Sequence, residues 1–333
     1  MGEAAVSQEP KRIFEHLDKL AYEIGPRPAG SRGERLAREY VRETLRKRGL
    51  EVKVVEFSFW FPSSHLYLAP VFPALLFVLS PSAVFLLWLC FLLFIFSKRV
   101  RSADVLGTCK GRPILVLAAQ LDSGPPAVRA LSLLAPYLLF LTVPLFLRLW
   151  RTFSLWPLLP LWVVPPLCFR ALRNPSSPGA NDASGLSLLL ELSEVLRGKR
   201  IWFAACGAVE RSRNGVKAIT KVLPKQVPVL CLERVGRGSS LVLRGSQRLF
   251  PTGVQNVRVS FPQKTDMCYP LISAGFVAAS LTFDSPHQDT AEDLPEHLSI
   301  KSLEMAGAAV LKLVGQLTDA SLEADSGKQG DGT

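Results

Sequence analysis

No two of the six cysteines, at 90, 109, 168, 206, 231 and 268, are spaced as a CxxC pair, and two of them fall inside long apolar runs. That spacing excludes a disulfide framework and suits a reducing compartment. Charge is missing from whole segments. Leu66 to Phe96 contains no charged residue, and Ala130 to Phe169 contains only Arg148 and Arg151. Runs of that length and composition belong in a bilayer and mark a membrane protein. A basic stripe interleaved with aromatic residues is lacking too. The net charge is +11, yet the 39 Lys and Arg are scattered, so nucleic acid is excluded as a partner. The opening MGEAAVSQEPKRIFEHLDKL has no apolar core ahead of a small-residue cleavage site. No secretory signal is read there, and the soluble part is expected in the cytoplasm.

What remains is a chain of 333 residues, long enough for one large or two ordinary domains with a substantial core. Ile13, Leu17, Leu20 and Ala21 recur at helical spacing up to Gly25-Pro26, and Leu36, Tyr40, Val41 and Leu45 do so up to Gly49. Residues 51–59 alternate as a strand. The apolar runs 114–119, 201–205, 227–232 and 276–283 read as strands buried on both faces, and 300–317 as a closing amphipathic helix. Helices alternating with buried strands predict an α/β fold, a three-layer sandwich with a mixed, largely parallel central sheet, interrupted by two membrane-associated hydrophobic insertions.

The pieces 1–65, 98–129 and 170–318 would form one discontinuous domain, which requires all of them on the same side of the membrane. Residues 130–169 fit a transmembrane hairpin turning near Arg148 and Arg151. Residues 66–97 split at Ser80-Pro81-Ser82 into arms of about 15 residues, about 22 Å each, which suits a re-entrant or hairpin insertion. Lys98, Arg99, Arg101, Arg170 and Arg173 flank the insertions on the domain side. This bias favours a cytoplasmic domain held against anionic lipid headgroups. Residues 319–333, rich in Ser, Gly and acids, read as a disordered tail.

The stretch SPGANDASGLSLLLELSEVL, residues 177–196, sets Asp182 where a polar loop enters an apolar helix containing Leu188, Leu189, Leu192 and Val195. A carboxylate there is favoured by the helix dipole and suits a metal ligand or catalytic acid; taken alone it is an ordinary N-terminal cap.

Seven segments in order resemble the zinc exopeptidase family that includes bacterial leucyl aminopeptidases, glutamate carboxypeptidase and the glutaminyl cyclases. They are GPRPAGS at 25–31 together with AAQLDS at 118–123, GANDASG at 179–185, AACGAVE ending at Glu210, LERVGRG at 232–238, TDMCYPLISAGFVA from Thr265, and SPHQDT at 285–290. The resemblance implies two zinc ions bridged by an aspartate, each with a histidine and a further carboxylate, and a glutamate as general base. Carried over by position, Asp182 is the bridge, Glu210 and Glu233 are carboxylate ligands, and Asp122 orients the first histidine.

The chain departs from that pattern at two positions. Gln120 stands in the place of the first histidine, and Val209 in the place of the general base. The last ligand falls to Asp284 or His287. His16 and His65 lie elsewhere in the sequence and His297 begins the last helix, so the inventory allows at most one zinc ion, on Asp182, Glu210 and His287, with Glu233 and Asp266 nearby. Asp182, Glu210, Glu233 and Asp266 around one centre would crowd like charges, which raises pKa values or recruits a cation. The expectation is a membrane-associated zinc-aminopeptidase-like protein with weak or lost peptidase activity and a pocket for a peptide or amine. The alternatives are an active exopeptidase or cyclase-like enzyme with a reorganised one-metal site, and a non-catalytic membrane binding or scaffold protein.

Overall fold

The computed structural model describes residues 9–60, 99–124, 179–210, 213–251, 253–254, 257–283 and 293–330. Both apolar insertions, 66–97 and 130–169, lie outside the described residues, as do Asp284 and His287. Among the described residues no helix is long and apolar enough to cross a membrane. Met1–Phe57, Ser102–Gly124 and Ser176–Thr333 form one compact unit, and Ser58–Arg101 with Pro125–Pro175 a second. The candidate site belongs wholly to the first.

Eight strands make one mixed sheet: β1 (Glu51–Trp60), β2 (Arg99–Thr108), β3 (Leu115–Gln120), β4 (Ile201–Cys206), β5 (Val229–Leu232), β6 (Leu241–Gly245), β7 (Val257–Ser260) and β8 (Ala278–Phe283). Their order is β1-β2-β4-β3-β5-β8-β6-β7. The central strands β4, β3, β5 and β8 run parallel, while β2 meets β4 and β6 meets β8 antiparallel. The four runs read as buried strands are this centre. The strands β2, β6 and β7 were not foreseen, because exposed arginines and buried polar groups such as Asp104 break the apolar pattern that marks the others.

The period of two along each strand sorts the core into two layers. Leu115, Leu117, Phe203, Leu230 and Leu281 face one side, packed with helices α1 (Glu9–Asp18), α2 (Arg32–Lys47), α3 (Ala180–Val195) and α6 (Ile300–Gly330). Val116, Ala118, Ala204, Val229 and Ala278 face the other, beneath α4 (Asn214–Ile219) and α5 (Tyr269–Ser273). Helix α3 is buried from Ala180 to Ser193, which suits leucines spread around the helix rather than along one stripe.

Some details differ from the sequence reading. In α2 the inward stripe is Glu34, Ala37, Val41 and Leu45, and Leu36 is 45% exposed, since it lies a full residue step around the helix from Ala37. Val195, at the end of α3, is also exposed. The expected tail from Asp319 instead continues α6 to Gly330; Ala320, Leu322, Glu323 and Ala324 are good helix formers.

Candidate functional site

The site lies at the carboxyl ends of the parallel strands, where the backbone leaves the sheet and side chains from different loops can converge. Register brings these ends level, with Gln120 opposite Cys206 and Ala119 opposite Leu232. Asp122, just past β3, is buried and accepts the backbone N–H groups of Val209 (2.8 Å) and Glu210 (3.2 Å). It fixes the loop after β4 by its main chain. Burial pushes the Asp122 carboxyl well above the usual range, opposed by the Val209 N–H and reinforced by Glu210, Glu34 and Asp182. Gln120 turns its amide nitrogen to the Asp122 carbonyl (2.9 Å) and to Oε1 of Glu210 (3.0 Å). The Asp122 carboxylate therefore grips the neighbouring loop, while residue 120 is oriented by main chain and by Glu210.

Asp182 is buried in the first turn of α3. Its Oδ2 accepts the Gly124 N–H at 3.1 Å. Helix α3 starts from Gly179, whose φ of +66° suits a residue without a side chain, and Asp293 caps it from afar by accepting the Asn181 N–H at 2.7 Å. Between Asp182 and Glu210 lies Arg234. Its Nε donates to Asp182 Oδ1 at 3.1 Å, and its Nη2 to Glu210 Oε1 at 2.9 Å. Arg234 follows Glu233 at the end of β5, with φ of +51°, outside the ordinary region for a side chain of this size. Among the described residues the other non-glycine positions of this kind are Ala208 and Arg213, beside the same cleft.

The cleft itself measures about 330 Å³ and is bordered by Gln120, Val209, Glu210, Glu233, Arg234 and Asp266, among others. Glu233 faces Met267 and Ser280: it accepts the Met267 N–H and shares a hydrogen bond with the Ser280 side chain. Burial raises its carboxyl to about 7, with Asp266 pushing in the same direction and Arg234 against. Asp266 accepts from Arg244 Nη1 (3.2 Å) and from the Gln263 N–H (2.6 Å). The structure thus brings Gln120, Asp122, Asp182, Val209, Glu210, Glu233 and Asp266 together. It adds two arginines that sequence reasoning missed. The available signal was the crowding of acids, which demands cations, and the arginine directly beside Glu233.

Behind the site, the GPRP loop is a clamp. Arg27 is fully buried and donates to the carbonyls of Leu20 (2.5 Å), Gly25 (2.9 Å), Leu121 (3.3 Å) and Gly179 (2.9 Å). Burial lowers its pKa to about 10, opposed by Asp182, Asp122 and Asp293. Glu34 accepts from Gly30 N–H (2.6 Å), Ser102 Oγ (2.6 Å) and Ala208 N–H (3.2 Å), tying α2 to the loop that carries Val209 and Glu210.

No protein-family model matches the chain, and no curated protein matches it by sequence. Solved structures do. A zinc aminopeptidase from Bacillus subtilis superposes with a TM-score of 0.61 at 16% identity, covering 92% of this chain and 94% of its own. An aminopeptidase from Aneurinibacillus sp. strain AM-1 gives 0.60 at 14%, covering 94% and 96%. The Porphyromonas gingivalis glutaminyl cyclase gives 0.58 at 13%, covering 93% and 98%. The chain has the zinc-exopeptidase fold.

Whether these residues suit the zinc of that fold can be judged from their own bonds. Among the described residues no three His, Cys, Asp or Glu side chains are grouped so as to hold a metal ion. Asp182 and Glu210 share the Arg234 guanidinium, Gln120 presents N–H to Glu210, and Glu233 is turned to Met267 and Ser280. A guanidinium cannot lose its proton to become a ligand, and an amide N–H repels a cation. The described site does not fit zinc.

Proposed function

We propose that this protein uses the zinc-exopeptidase fold as a binding cleft, with weak or no peptidase activity, and that it holds a peptide or amine ligand at the cytoplasmic face of a membrane. The observation that carries this reading is Val209. The fold resemblance asks for a proton acceptor there, and an isopropyl group borders the cleft instead. A positioned general base contributes roughly 10² to 10⁴ in rate, and its absence alone leaves a feeble hydrolase. Glu233 and Asp266 on the cleft wall, beside Arg213, Arg234 and Arg244, give hydrogen-bonding groups of both kinds for the polar ends of such a ligand. Attachment to the membrane is supported by the uncharged run 66–96 and the nearly uncharged run 130–169, and the cytoplasmic side by the basic residues flanking them.

The test is a broad exopeptidase screen on the full-length protein, with and without added zinc, alongside a thermal-shift survey of short peptides and amines. The expected result is no turnover together with stabilisation by some peptides or amines. Robust turnover that disappears in Asp182→Ala would overturn the reading and establish an enzyme.

A further inference from the structure

We propose that the guanidinium of Arg234 is the resident cation of this site, replacing a divalent metal by neutralising and spacing Asp182 and Glu210 and so closing the pair to metal ions. The inference rests on reading these two carboxylates as the acidic pair of the zinc-exopeptidase fold. It does not depend on the absence of turnover.

The two acids arrive from different parts of the chain, Asp182 on the first turn of α3 and Glu210 after β4. Asp182 has a side-chain exposure of 2% and Glu210 of 21%, so water screens their mutual repulsion poorly. A cation between them offsets that repulsion. Arg234 supplies it with a geometry that a point charge cannot reproduce. Adjacent N–H groups on one edge of the planar fork reach two separate carboxylates, at 3.1 Å and 2.9 Å. Further donors support the arrangement: the Gly124 N–H on the second oxygen of Asp182, and the Gln120 amide on the same oxygen of Glu210.

The backbone supports the assignment independently. Arg234 is held at φ +51°, a conformation disfavoured for an arginine by about 1 kcal/mol or more, which persists only where the side chain's bonds offset it. That turn aims the side chain into the space between the acids. Gln120 acts in the same direction, because its amide nitrogen donates to Glu210 Oε1 at 3.0 Å. Gln120 and Arg234 therefore act together, giving a site that carries its own charge in place of a metal.

The experiment is thermal unfolding of the full-length protein with EDTA or with zinc chloride, combined with elemental analysis after dialysis. Wild type is expected to unfold at the same temperature in both buffers and to retain no stoichiometric zinc. Arg234→Met should unfold roughly 5 °C lower in EDTA, recover part of that loss in zinc, and retain about one ion per chain. Arg234→Lys, which keeps the charge but loses the fork, should fall between the two and retain none. Stoichiometric zinc in the wild type, with a matching rise in its unfolding temperature, would overturn the proposal. So would an Arg234→Met protein that is neither destabilised nor able to take up zinc. Should Arg234→Met not fold, the zinc response of wild type and Arg234→Lys decides alone. Peptide turnover by zinc-free wild type would refute the proposed function and leave this inference standing.

Discussion

Arg27 and Gly179 are 152 residues apart in the chain, yet the Arg27 Nη2 donates to the Gly179 carbonyl at 2.9 Å. Gly179 is the residue from which α3 departs toward Asp182, so the GPRP loop near the N-terminus sets where the acidic site begins. The same guanidinium caps carbonyls at the end of the helical turn Lys19–Ile24, through Leu20 and Gly25, and reaches Leu121 beside Asp122. A compact ammonium cannot serve four carbonyls in these directions. Arg27→Lys is therefore expected to lower the unfolding temperature by on the order of 10 °C, and Arg27→Met by more, because unpaired buried carbonyls remain. Scanning calorimetry of the two variants checks this, and a shift of only one or two degrees would show that the clamp is dispensable.

The approach of α3 to the sheet is set by Gly185. A β-carbon there would meet the Leu232 carbonyl oxygen at 2.2 Å, a backbone contact that cannot be relieved by a rotamer change. Gly185→Ala should push α3 from β5 and destabilise by roughly 3 kcal/mol, while separating Asp182 from the loop of Glu233 and Arg234. Gly315, in α6, has nothing within 4 Å of the added carbon, and Gly315→Ala should be neutral or stabilising by up to about 1 kcal/mol. Denaturant midpoints for the pair measure the contrast. Equal effects at both positions would contradict the packing described.

Asp104 gives a pH signature. Burial raises its carboxyl from 3.8 to about 8, with the Gly207 N–H opposing and Glu34 adding. The folded protein thus keeps a proton that the unfolded chain releases near pH 4, and the stability this confers is full below pH 4 and lost as pH rises toward 8. Asp104→Asn keeps an acceptor for Gly207 but removes the titration. It should be close to wild type at pH 4 and more stable than wild type at pH 8. Asp122 and Glu233 slope in the same direction in both proteins and cancel from the difference, while Glu34, which faces Asp104, loses a neighbouring charge in the variant and adds to the contrast. Parallel stability-against-pH curves for the two would count against a protonated Asp104.

Restoring the missing ligand and base is the direct route to a working peptidase, and the structure says it is insufficient. With Arg234 in place, Gln120→His combined with Val209→Glu should yield neither metal uptake nor turnover. Adding Arg234→Met to that pair should raise zinc content toward one ion per chain and bring any peptidase activity above background. Elemental analysis and an aminoacyl-substrate assay on both variants test it; activity already present in the double variant would mean that the guanidinium is easily displaced.

Much of this was legible in the sequence because the central layer is chemically simple. Strands β3, β4, β5 and β8 are buried on both faces, so their apolar runs stand out, and the polar loops at their carboxyl ends carry Asp122, Glu210 and Glu233 in readable order. Outer strands were less visible. β2 opens with exposed arginines and then buries Ser102 and Asp104, and polar residues satisfied by distant partners leave no local pattern. Leu36 misled for a related reason: apolar spacing shows that a helix has a buried face, but the neighbouring elements choose which stripe it is.

The sequence by itself determined the fold class, the apolar segments, the acidic residues of the site and the two positions where chemistry expected of that site is missing. The fold class and the apolar segments follow from residue type and local spacing, which act over a few residues, and the site residues, with their two departures, follow from the family resemblance. The tertiary structure alone decided what replaces the missing chemistry. Whether an arginine beside Glu233 points to solvent or between Asp182 and Glu210 depends on one left-handed backbone turn and on carboxylates delivered by two other elements, and only the folded chain brings those three loops within hydrogen-bonding distance.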